Sequence, residues 1–222
     1  MNMDRLKNVK AVLFDLDGTL VSDDDLQIKA ISKTIDFFNI DIPLCEYPKR
    51  FIGKSLSQIE ENIIKEFNLK IEKGAIREKR KEIIVDLLSK EKTCLTYYAK
   101  DLIKFLSKKY PLAICSAGEK KEILLKLKNN NLLKYFKKII SVEDVEKSKP
   151  YPDIYIKGAK ELGFDPKECL AFEDSVSGMK AAKRAGVICF VIPNKKEKRE
   201  DFLPADRILE SLEEAYHILK NI

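Results

Sequence analysis

Short apolar runs alternate with amphipathic stretches along most of the chain. Helical periodicity, with apolar positions every three or four residues, covers residues 99–108, 119–129, 152–162 and 175–185. Between these stretches stand continuous apolar runs, which are typical of strands buried on both faces. The runs cover residues 9–14, 112–115, 138–141, 169–172 and 187–192. Strands that alternate with helices predict an α/β fold with a doubly wound parallel sheet.

Residues 21–92 follow a different pattern, without a convincing strand. Helical periodicity covers residues 26–38, 55–67 and 76–88. Ser55 fits an N-cap, and Gln58 follows three residues later as in a capping box. A helical block inserted after the first strand would lie above the carboxyl ends of the strands, where open parallel sheets bind ligands. The sequence therefore predicts a core domain of residues 1–20 and 93–222, and a second, smaller all-helical cap domain of residues 21–92 that acts as a lid.

The composition is that of a folded protein with a sizeable core. Of the 222 residues, 45% are hydrophobic and 35% are charged, and the formal net charge is +6. The positive charges are scattered in short runs without interleaved aromatics, so we expect no nucleic-acid partner. No apolar stretch reaches membrane-spanning length, and residues 1–10 lack the hydrophobic run of a signal peptide. We therefore expect a cytoplasmic protein with no membrane partner.

Cysteine and histidine are used sparingly. The five cysteines are widely spaced and odd in number, so we predict neither a zinc site nor a disulfide framework, and we expect buried thiols in a reducing compartment. The single histidine of the sequence, His217, lies in a helical pattern near the C-terminus. Proton transfers must therefore pass through carboxylates or lysine, which excludes most serine and cysteine triads.

Two carboxylates, Asp15 and Asp17, follow the first predicted strand. Gly18 and Thr19 come next, so the chain can turn sharply at this point. One carboxylate could attack a substrate while the other manages a proton. A bare pair of aspartates would favour the alternative of a helix N-cap or an acidic loop. The strand before the pair and the Gly-Thr after it favour the chemical role.

Polar residues also follow later strands. Ser116 could offer a hydroxyl to a phosphate oxygen at a helix start, although serine is also a common N-cap. Lys149 precedes a rigid proline and could project a fixed positive charge into a cleft. Glu173 and Asp174 end another apolar run, where acidic residues are costly unless they bind a cation or a donor. With the two earlier aspartates they form an oxygen-rich site suited to Mg²⁺.

In this order the motifs resemble those of the haloacid dehalogenase (HAD) superfamily of phosphatases. They read Asp-X-Asp-Gly-Thr, then serine, then Lys-Pro-X-Pro-Asp, then Glu-Asp-Ser, and the resemblance covers essentially the whole chain. The helical insertion is similar to that of the subgroup with a cap after the first motif, which includes phosphoglycolate phosphatases and β-phosphoglucomutases. The resemblance implies a Rossmann-like core, a Mg²⁺ cofactor and an aspartyl-phosphate intermediate.

The resemblance also implies roles in the chemistry. Asp15 would be the nucleophile, and Asp17 would be the general acid for the leaving alcohol and then the base that activates water. Ser116 and Lys149 would hold the oxygens of the transferring phosphoryl group. The negative charges of carboxylate and phosphate repel each other, so positive charge is needed where they meet.

A metal site is implied in the same way. Mg²⁺ would be held by Asp174, by a carboxylate oxygen of Asp15 and by the backbone carbonyl of Asp17. Glu173 would be a neighbour of the ion or an additional ligand. The ion would share the neutralisation of charge with Lys149.

Among the activities of the superfamily, a phosphatase acting on a small phosphorylated metabolite fits best. Dehalogenases and phosphonate-cleaving members lack the second aspartate, which is Asp17 here. β-Phosphoglucomutases are the alternative, but they usually carry a cap histidine, a cap arginine and a lysine after the second motif. This chain has Gln27, Leu56 and Glu119 at those positions. A non-catalytic scaffold is a remote alternative, since all four motifs are chemically complete.

Substrate contacts in the cap are expected at Gly53 and Lys54. Glycine permits close backbone approach, and lysine could meet an anionic group of the substrate. The alternative is that Gly53 ends a short helix and Lys54 is solvated. Sugar phosphates, phosphoglycolate, glycerol phosphate and mononucleotides are all compatible with the sequence. We expect a monomer, although no pattern in the sequence fixes the oligomeric state.

Overall fold

The computed structural model describes residues 4–51, 56–194 and 197–221. Gly53 and Lys54, the predicted substrate contacts in the cap, lie outside the described residues, as does the predicted N-cap Ser55. Their roles stay predictions.

The chain divides into two compact units. Residues 1–22 and 93–222 form the larger unit, and residues 23–92 form the smaller one. The sequence predicts a domain boundary after residue 20, and the two compact units divide after residue 22. Residues 21–22 form a short strand that pairs with residues 94–95 of the larger unit, and this pairing keeps them there.

Eight strands lie within the described residues. They are β1 (Ala11–Phe14), β2 (Val21–Ser22), β3 (Cys94–Leu95), β4 (Leu112–Cys115), β5 (Phe136–Ile140), β6 (Cys169–Glu173), β7 (Ile188–Val191) and β8 (Arg207–Ile208). Six of them form one parallel sheet in the order β5-β4-β1-β6-β7-β8, and β2 pairs with β3 antiparallel. The predicted parallel α/β fold is confirmed. The two-residue strands β2, β3 and β8 are too short to leave a pattern in the sequence.

Ten α-helices lie within the same residues. They are α1 (Asp4–Lys7), α2 (Asp24–Phe37), α3 (Tyr47–Phe51), α4 (Leu56–Glu66), α5 (Ala75–Lys90), α6 (Ala99–Leu106), α7 (Lys120–Asn129), α8 (Asp153–Leu162), α9 (Val176–Ala185) and α10 (Leu212–Lys220). Short 3₁₀ segments occur at Leu44–Glu46, Leu133–Tyr135, Val142–Asp144, Pro166–Glu168 and Arg199–Phe202. None of these helices is long and apolar enough to cross a bilayer.

Both faces of the large sheet are buried. Successive residues of a strand point to opposite faces, so they belong to different apolar clusters. Val12 and Phe14 belong to one apolar cluster, together with residues of α6, α7 and α10. Ala11 and Leu13 belong to a second cluster on the other face, together with residues of α8 and α9. The ring of Phe14 stacks on that of Phe172 with their centroids 5.0 Å apart. This double burial explains why the strands read as continuous apolar runs rather than as alternating ones.

The cysteines fit this packing only in part. Cys115, Cys169 and Cys189 are buried on the α8 and α9 side of the sheet, as expected for structural thiols. Cys45 and Cys94 are exposed, and all five are unpaired. The expectation of buried thiols is therefore right for three positions and wrong for two.

The smaller unit has a core of its own, formed mainly by isoleucine and aromatic side chains. One of its buried charged residues, Glu60, is 1% exposed and lies on α4. The carboxylate accepts hydrogen bonds from the backbone N–H groups of Gly74 and Ile76, at 3.0 and 3.1 Å, and pairs with Arg77 at 2.8 Å. It therefore satisfies the open N-terminus of α5 from outside that helix. The lid function of this unit stays a prediction.

Candidate active site

The central strand of the large sheet carries the predicted nucleophile. β1 lies between β4 and β6, and the register pairs Phe14 with Ile114 on one side and with Phe172 on the other. Asp15 directly follows Phe14, and its backbone N–H donates to the carbonyl of Phe172 at 3.0 Å. Because the three strands are parallel, the residues that follow them emerge at one edge of the sheet. The order of the strands thus gathers motifs that are far apart in the sequence.

The loop after β1 turns tightly over a neighbouring acid. Gly18 has φ +86°, and a Cβ at this position would lie 2.1 Å from Oδ2 of Asp174. Its N–H donates to the carbonyl of Val21 at 2.8 Å. Glycine is needed here both for the left-handed backbone and for the close approach to the carboxylate. The loop therefore brings the first motif against the fourth.

Lys149 joins two of the predicted acids. Its Nζ lies 2.6 Å from Oδ1 of Asp15 and 2.6 Å from Oε1 of Glu173. The lysine side chain is 5% exposed, so these contacts are shielded from water. Although burial opposes its charge, the two carboxylates raise the pKa of Lys149 above its usual value. Lys149 therefore stays positively charged beside Asp15 at neutral pH.

Glu173 is fully buried and already holds several protein donors. Its Oε1 accepts from Lys149 and, at 2.5 Å, from the hydroxyl of Tyr155. Its Oε2 faces the first turn of α9 and accepts from the hydroxyl of Ser175 and from the backbone N–H of Asp174, both at 3.2 Å. A Cβ at Gly178 would lie 1.9 Å from Oε1, so the helix leaves room for this carboxylate only by carrying glycine there.

Asp15, the predicted nucleophile, has one carboxylate oxygen without a hydrogen-bond partner among the described residues. This oxygen, Oδ2, is buried, whereas Oδ1 is held by Lys149. Asp15, Glu173 and Asp174 each offer an oxygen within 4.8 Å of the others. When all four groups are ionised, three carboxylates and one ammonium leave two negative charges at the site. An orphaned oxygen in a doubly negative, all-oxygen cluster fits a divalent cation such as Mg²⁺.

The pKa shifts of Asp15 and Asp174 also indicate a cation site. Burial raises the pKa of Asp15 well above its usual value; Lys149 lowers it, and the neighbouring acids raise it further. Burial and the charge of Glu173 raise the pKa of Asp174 to about 7, although Asn194 donates to its Oδ2 at 3.2 Å and favours the ionised form. A bound cation would stabilise the ionised form of both carboxylates and lower their pKa values.

Asp17 lies apart from this cluster and has a partner of its own. Its Oδ1 accepts from Nζ of Lys126 at 2.5 Å. The lysine side chain is 1% exposed and that of Asp17 is 37% exposed, so a buried cation reaches a carboxylate at the surface. The sequence did not single out Lys126. A signal was present, because Lys126 lies next to Leu127 and one turn after Ile123, at a position where the helical pattern places buried residues.

Ser116 lies next to Asp17 at the end of β4. It is 1% exposed, and its hydroxyl oxygen accepts from the backbone N–H of Gly118 at 3.0 Å. A Cβ at Gly118 would lie 3.3 Å from the hydroxyl oxygen of Ser116 and 3.5 Å from Oδ2 of Asp17. Both side chains therefore flank the same glycine.

The six predicted residues of the core thus form two adjoining groups. Asp15, Lys149, Glu173 and Asp174 make a buried cluster of charges, and Ser116 and Asp17 flank Gly118. The sequence missed four residues that shape these groups, namely Lys126, Tyr155, Gly178 and Asn194.

Comparisons with known proteins identify the family of this chain. The family model described as haloacid dehalogenase-like hydrolase matches residues 12–192, which include every motif residue of the core. The chain belongs to this family. The protein YhcW of Bacillus subtilis (strain 168) is 32% identical to it over 216 residues, which are 93% of each chain.

Two further relatives are similar over most of their length. The phosphorylated carbohydrates phosphatase of Thermotoga maritima is 28% identical over 185 residues, 81% of this chain and 82% of the relative. The crystal structure of CbbY from Rhodobacter sphaeroides in complex with phosphate superposes with a TM-score of 0.80 at 26% identity. That match covers 91% of this chain and 94% of CbbY. The HAD resemblance inferred from the motifs is confirmed.

Proposed function

We propose that this chain is a Mg²⁺-dependent phosphatase that hydrolyses a small phosphorylated metabolite through an aspartyl-phosphate on Asp15. The observation that carries the proposal is the state of Asp15, whose Oδ1 is held by Lys149 at 2.6 Å while its buried Oδ2 has no hydrogen-bond partner among the described residues. Lys149 fixes this carboxylate in place, so that one oxygen can face phosphorus while the other contacts the cation. Membership of the family and its phosphatase relatives support the reaction class.

In the first step an oxygen of Asp15 attacks phosphorus and the bond from phosphorus to the leaving oxygen breaks. The electron pair stays on the leaving oxygen, which takes a proton from Asp17. Lys149 and the hydroxyl of Ser116 hold the phosphoryl oxygens while charge builds on them. Glu173 keeps Lys149 in place through their contact of 2.6 Å.

In the second step water attacks the phosphorus of the aspartyl-phosphate. Asp17 now takes a proton from that water, and the bond between Asp15 and phosphorus breaks to release inorganic phosphate. Asp17 suits both tasks because 37% of its side chain is exposed and can meet an alcohol or a water molecule.

Asp15 and Asp174 would hold Mg²⁺, together with the backbone carbonyl of Asp17. When bound, the ion supplies positive charge that lets an anionic nucleophile approach an anionic phosphate. We assign Glu173 a positioning role rather than a ligand role, because both its oxygens already accept hydrogen bonds from protein donors.

A sugar phosphate is the substrate class we propose. The Thermotoga relative is named for phosphorylated carbohydrates, and a variant of CbbY has been crystallised in complex with xylulose-(1,5)bisphosphate. The mutase alternative would require Gln27, Leu56 and Glu119 to replace a histidine, an arginine and a lysine. The amide of Gln27 is already engaged by Asp23, at 2.7 Å, and by Arg80.

Release of inorganic phosphate from a panel of sugar phosphates, phosphoglycolate and mononucleotides, with and without Mg²⁺, tests the proposal. We expect turnover that needs the metal and is abolished in Asp15→Asn, because an amide is a poor nucleophile of nearly the same size. A circular dichroism melt of the variant checks that it folds. Near-normal phosphate release by Asp15→Asn would refute the covalent mechanism, and interconversion of glucose phosphates without phosphate release would favour the mutase.

A further inference from the structure

Lys126 is an unusual group to find in the interior of this fold. Its side chain is 1% exposed and stands on the buried face of α7, together with Ile123 at 1%, Leu127 at 0% and the acidic Glu122 at 5%. Burying an ammonium costs several kcal/mol even when it is paired, and an apolar residue of the same length would avoid that cost. A gain in stability therefore does not explain a lysine here, and its effect on a neighbour has to be considered.

That neighbour is the carboxylate of Asp17. Lys126 binds Oδ1 at 2.5 Å, and the other oxygen, Oδ2, is left beside Gly118 and the hydroxyl of Ser116. A carboxylate that is 37% exposed and bonded at one oxygen can rotate only by breaking an ion pair. The side chain of Lys126 is 1% exposed, so it is not open to a substrate.

The backbone that carries Lys126 is also anchored. The side-chain amide of Asn130 donates to the carbonyl of Lys126 at 2.9 Å and to the hydroxyl of Thr93 at 2.7 Å. Thr93 is 6% exposed and directly precedes β3. A residue that positions another side chain must itself be held rigidly.

We propose that Lys126 is a positioning residue, which holds the carboxylate of Asp17 so that Oδ2 faces the phosphoryl-transfer site. The inference rests on the proposed function, in which Asp17 gives a proton to the leaving oxygen and later takes one from water. General acid catalysis needs its donor within hydrogen-bond reach of the reacting atom, and a displaced donor loses part of its effect.

Lys126→Met tests this role, because methionine keeps the length of the side chain and removes the charge. The probes are p-nitrophenyl phosphate, whose leaving group departs with little protonation, and phenyl phosphate, whose leaving group needs a proton. We expect kcat/KM to fall by about tenfold to a hundredfold for phenyl phosphate and by less than about threefold for p-nitrophenyl phosphate. The loss should appear in kcat rather than in KM, since substrate does not touch Lys126.

The matched control is Lys120→Met on the same helix. Lys120 pairs with Asp144 at 3.0 Å, away from Asp17, so its loss perturbs α7 without touching the acid. It should leave the ratio of the two kcat/KM values unchanged. Thermal melts of both variants show that differences in rate do not arise from unfolding.

Asp17→Asn and the double variant Lys126→Met/Asp17→Asn complete a double-mutant cycle. If Lys126 acts only through Asp17, its substitution should have no further effect on kcat/KM in the Asp17→Asn background. Equal losses on both probes in Lys126→Met, or a further loss in that background, would overturn the positioning role while leaving the phosphatase intact. Equal losses on both probes in Asp17→Asn itself would overturn the acid role in the proposed function, and the inference with it.

Discussion

Gly178→Ala offers a sharp test of the buried charge network, because two effects of opposite sign compete. In a helix interior alanine is more favourable than glycine by about 1 kcal/mol, so a helix without tertiary contacts would gain stability. In this structure the new Cβ would lie 1.9 Å from Oε1 and 2.1 Å from Oε2 of Glu173. The carboxylate is fully buried and has no open space to enter, so it must leave its partners.

The expected magnitude follows from the bonds that are lost. Hydrogen bonds to a charged group contribute about 1.5–3 kcal/mol each, and displacement of Glu173 breaks at least those from Lys149 and Tyr155. Subtracting the gain of about 1 kcal/mol in helix propensity leaves a loss of about 2–5 kcal/mol. For a protein of this size that lowers Tm by roughly 4–20 °C. Phosphatase turnover should fall as well, because Lys149 loses one of its two anchors.

Thermal and urea unfolding of the wild type and the variant provide the measurement, with kcat/KM on one aryl phosphate. Ser177→Ala, at the neighbouring half-buried position of α9, is the control and should change Tm by no more than 1–2 °C, or about 0.5 kcal/mol. A Gly178→Ala protein that melts at or above the wild-type temperature with full activity would refute the reasoning. It would mean that Glu173 can move without cost and does not hold Lys149.

Three further results are expected. Because burial raises the pKa of Asp174 to about 7, protons should compete with Mg²⁺ for this carboxylate. The apparent Mg²⁺ affinity, measured by activity or calorimetry, should weaken as pH falls below about 7, and it should be lost in Asp174→Asn. A Mg²⁺ affinity that does not depend on pH would contradict this. Burial opposes ionisation of Asp144, but hydrogen bonds from Ser141 and Lys120 outweigh it and lower its pKa from 3.8 to about 2. Its stabilising effect should be present above pH 4 and disappear between about pH 4 and pH 2, so the Tm difference between wild type and Asp144→Asn should shrink over that window; a constant difference would count against it. Lys149→Met should cost about 3–5 kcal/mol in urea unfolding, because it leaves the buried carboxylates uncompensated. Adding Glu173→Gln should restore part of that stability but no activity, and an unchanged unfolding midpoint in the single variant would oppose the argument.

The fold could be predicted closely wherever burial is continuous. The run at residues 112–115 matches β4, and the other four predicted strands differ from the observed ones by at most two residues at an end. Such runs are unambiguous because both faces of the sheet are covered. The ribbon of β2 and β3 could not be predicted, since two residues carry no periodicity and their pairing joins segments about seventy residues apart.

The residues of the site likewise fall into those that the sequence indicates and those that it does not. Asp15, Asp17, Ser116 and Lys149 could be found because each follows a strand or belongs to a recognisable motif. The donors around Glu173 could not, because Tyr155 and Gly178 sit in ordinary helical sequence and gain their meaning only from packing. The contacts of Glu173 depend on where α8 and α9 pack on the sheet, which no local pattern encodes.

The division of the larger unit into residues 1–22 and 93–222 has a consequence for how the protein is made. The ribosome delivers β1 first, yet both of its neighbours in the sheet, β4 and β6, emerge only after the whole smaller unit has been synthesised. Residues 23–92, with a core of their own, can fold while translation continues. The apolar strand β1 meanwhile has no partner strand, so its unpaired backbone groups and apolar side chains can associate with other nascent chains. Slower synthesis beyond residue 93 would lengthen that exposure, so codon choice in this stretch should influence the yield of soluble enzyme.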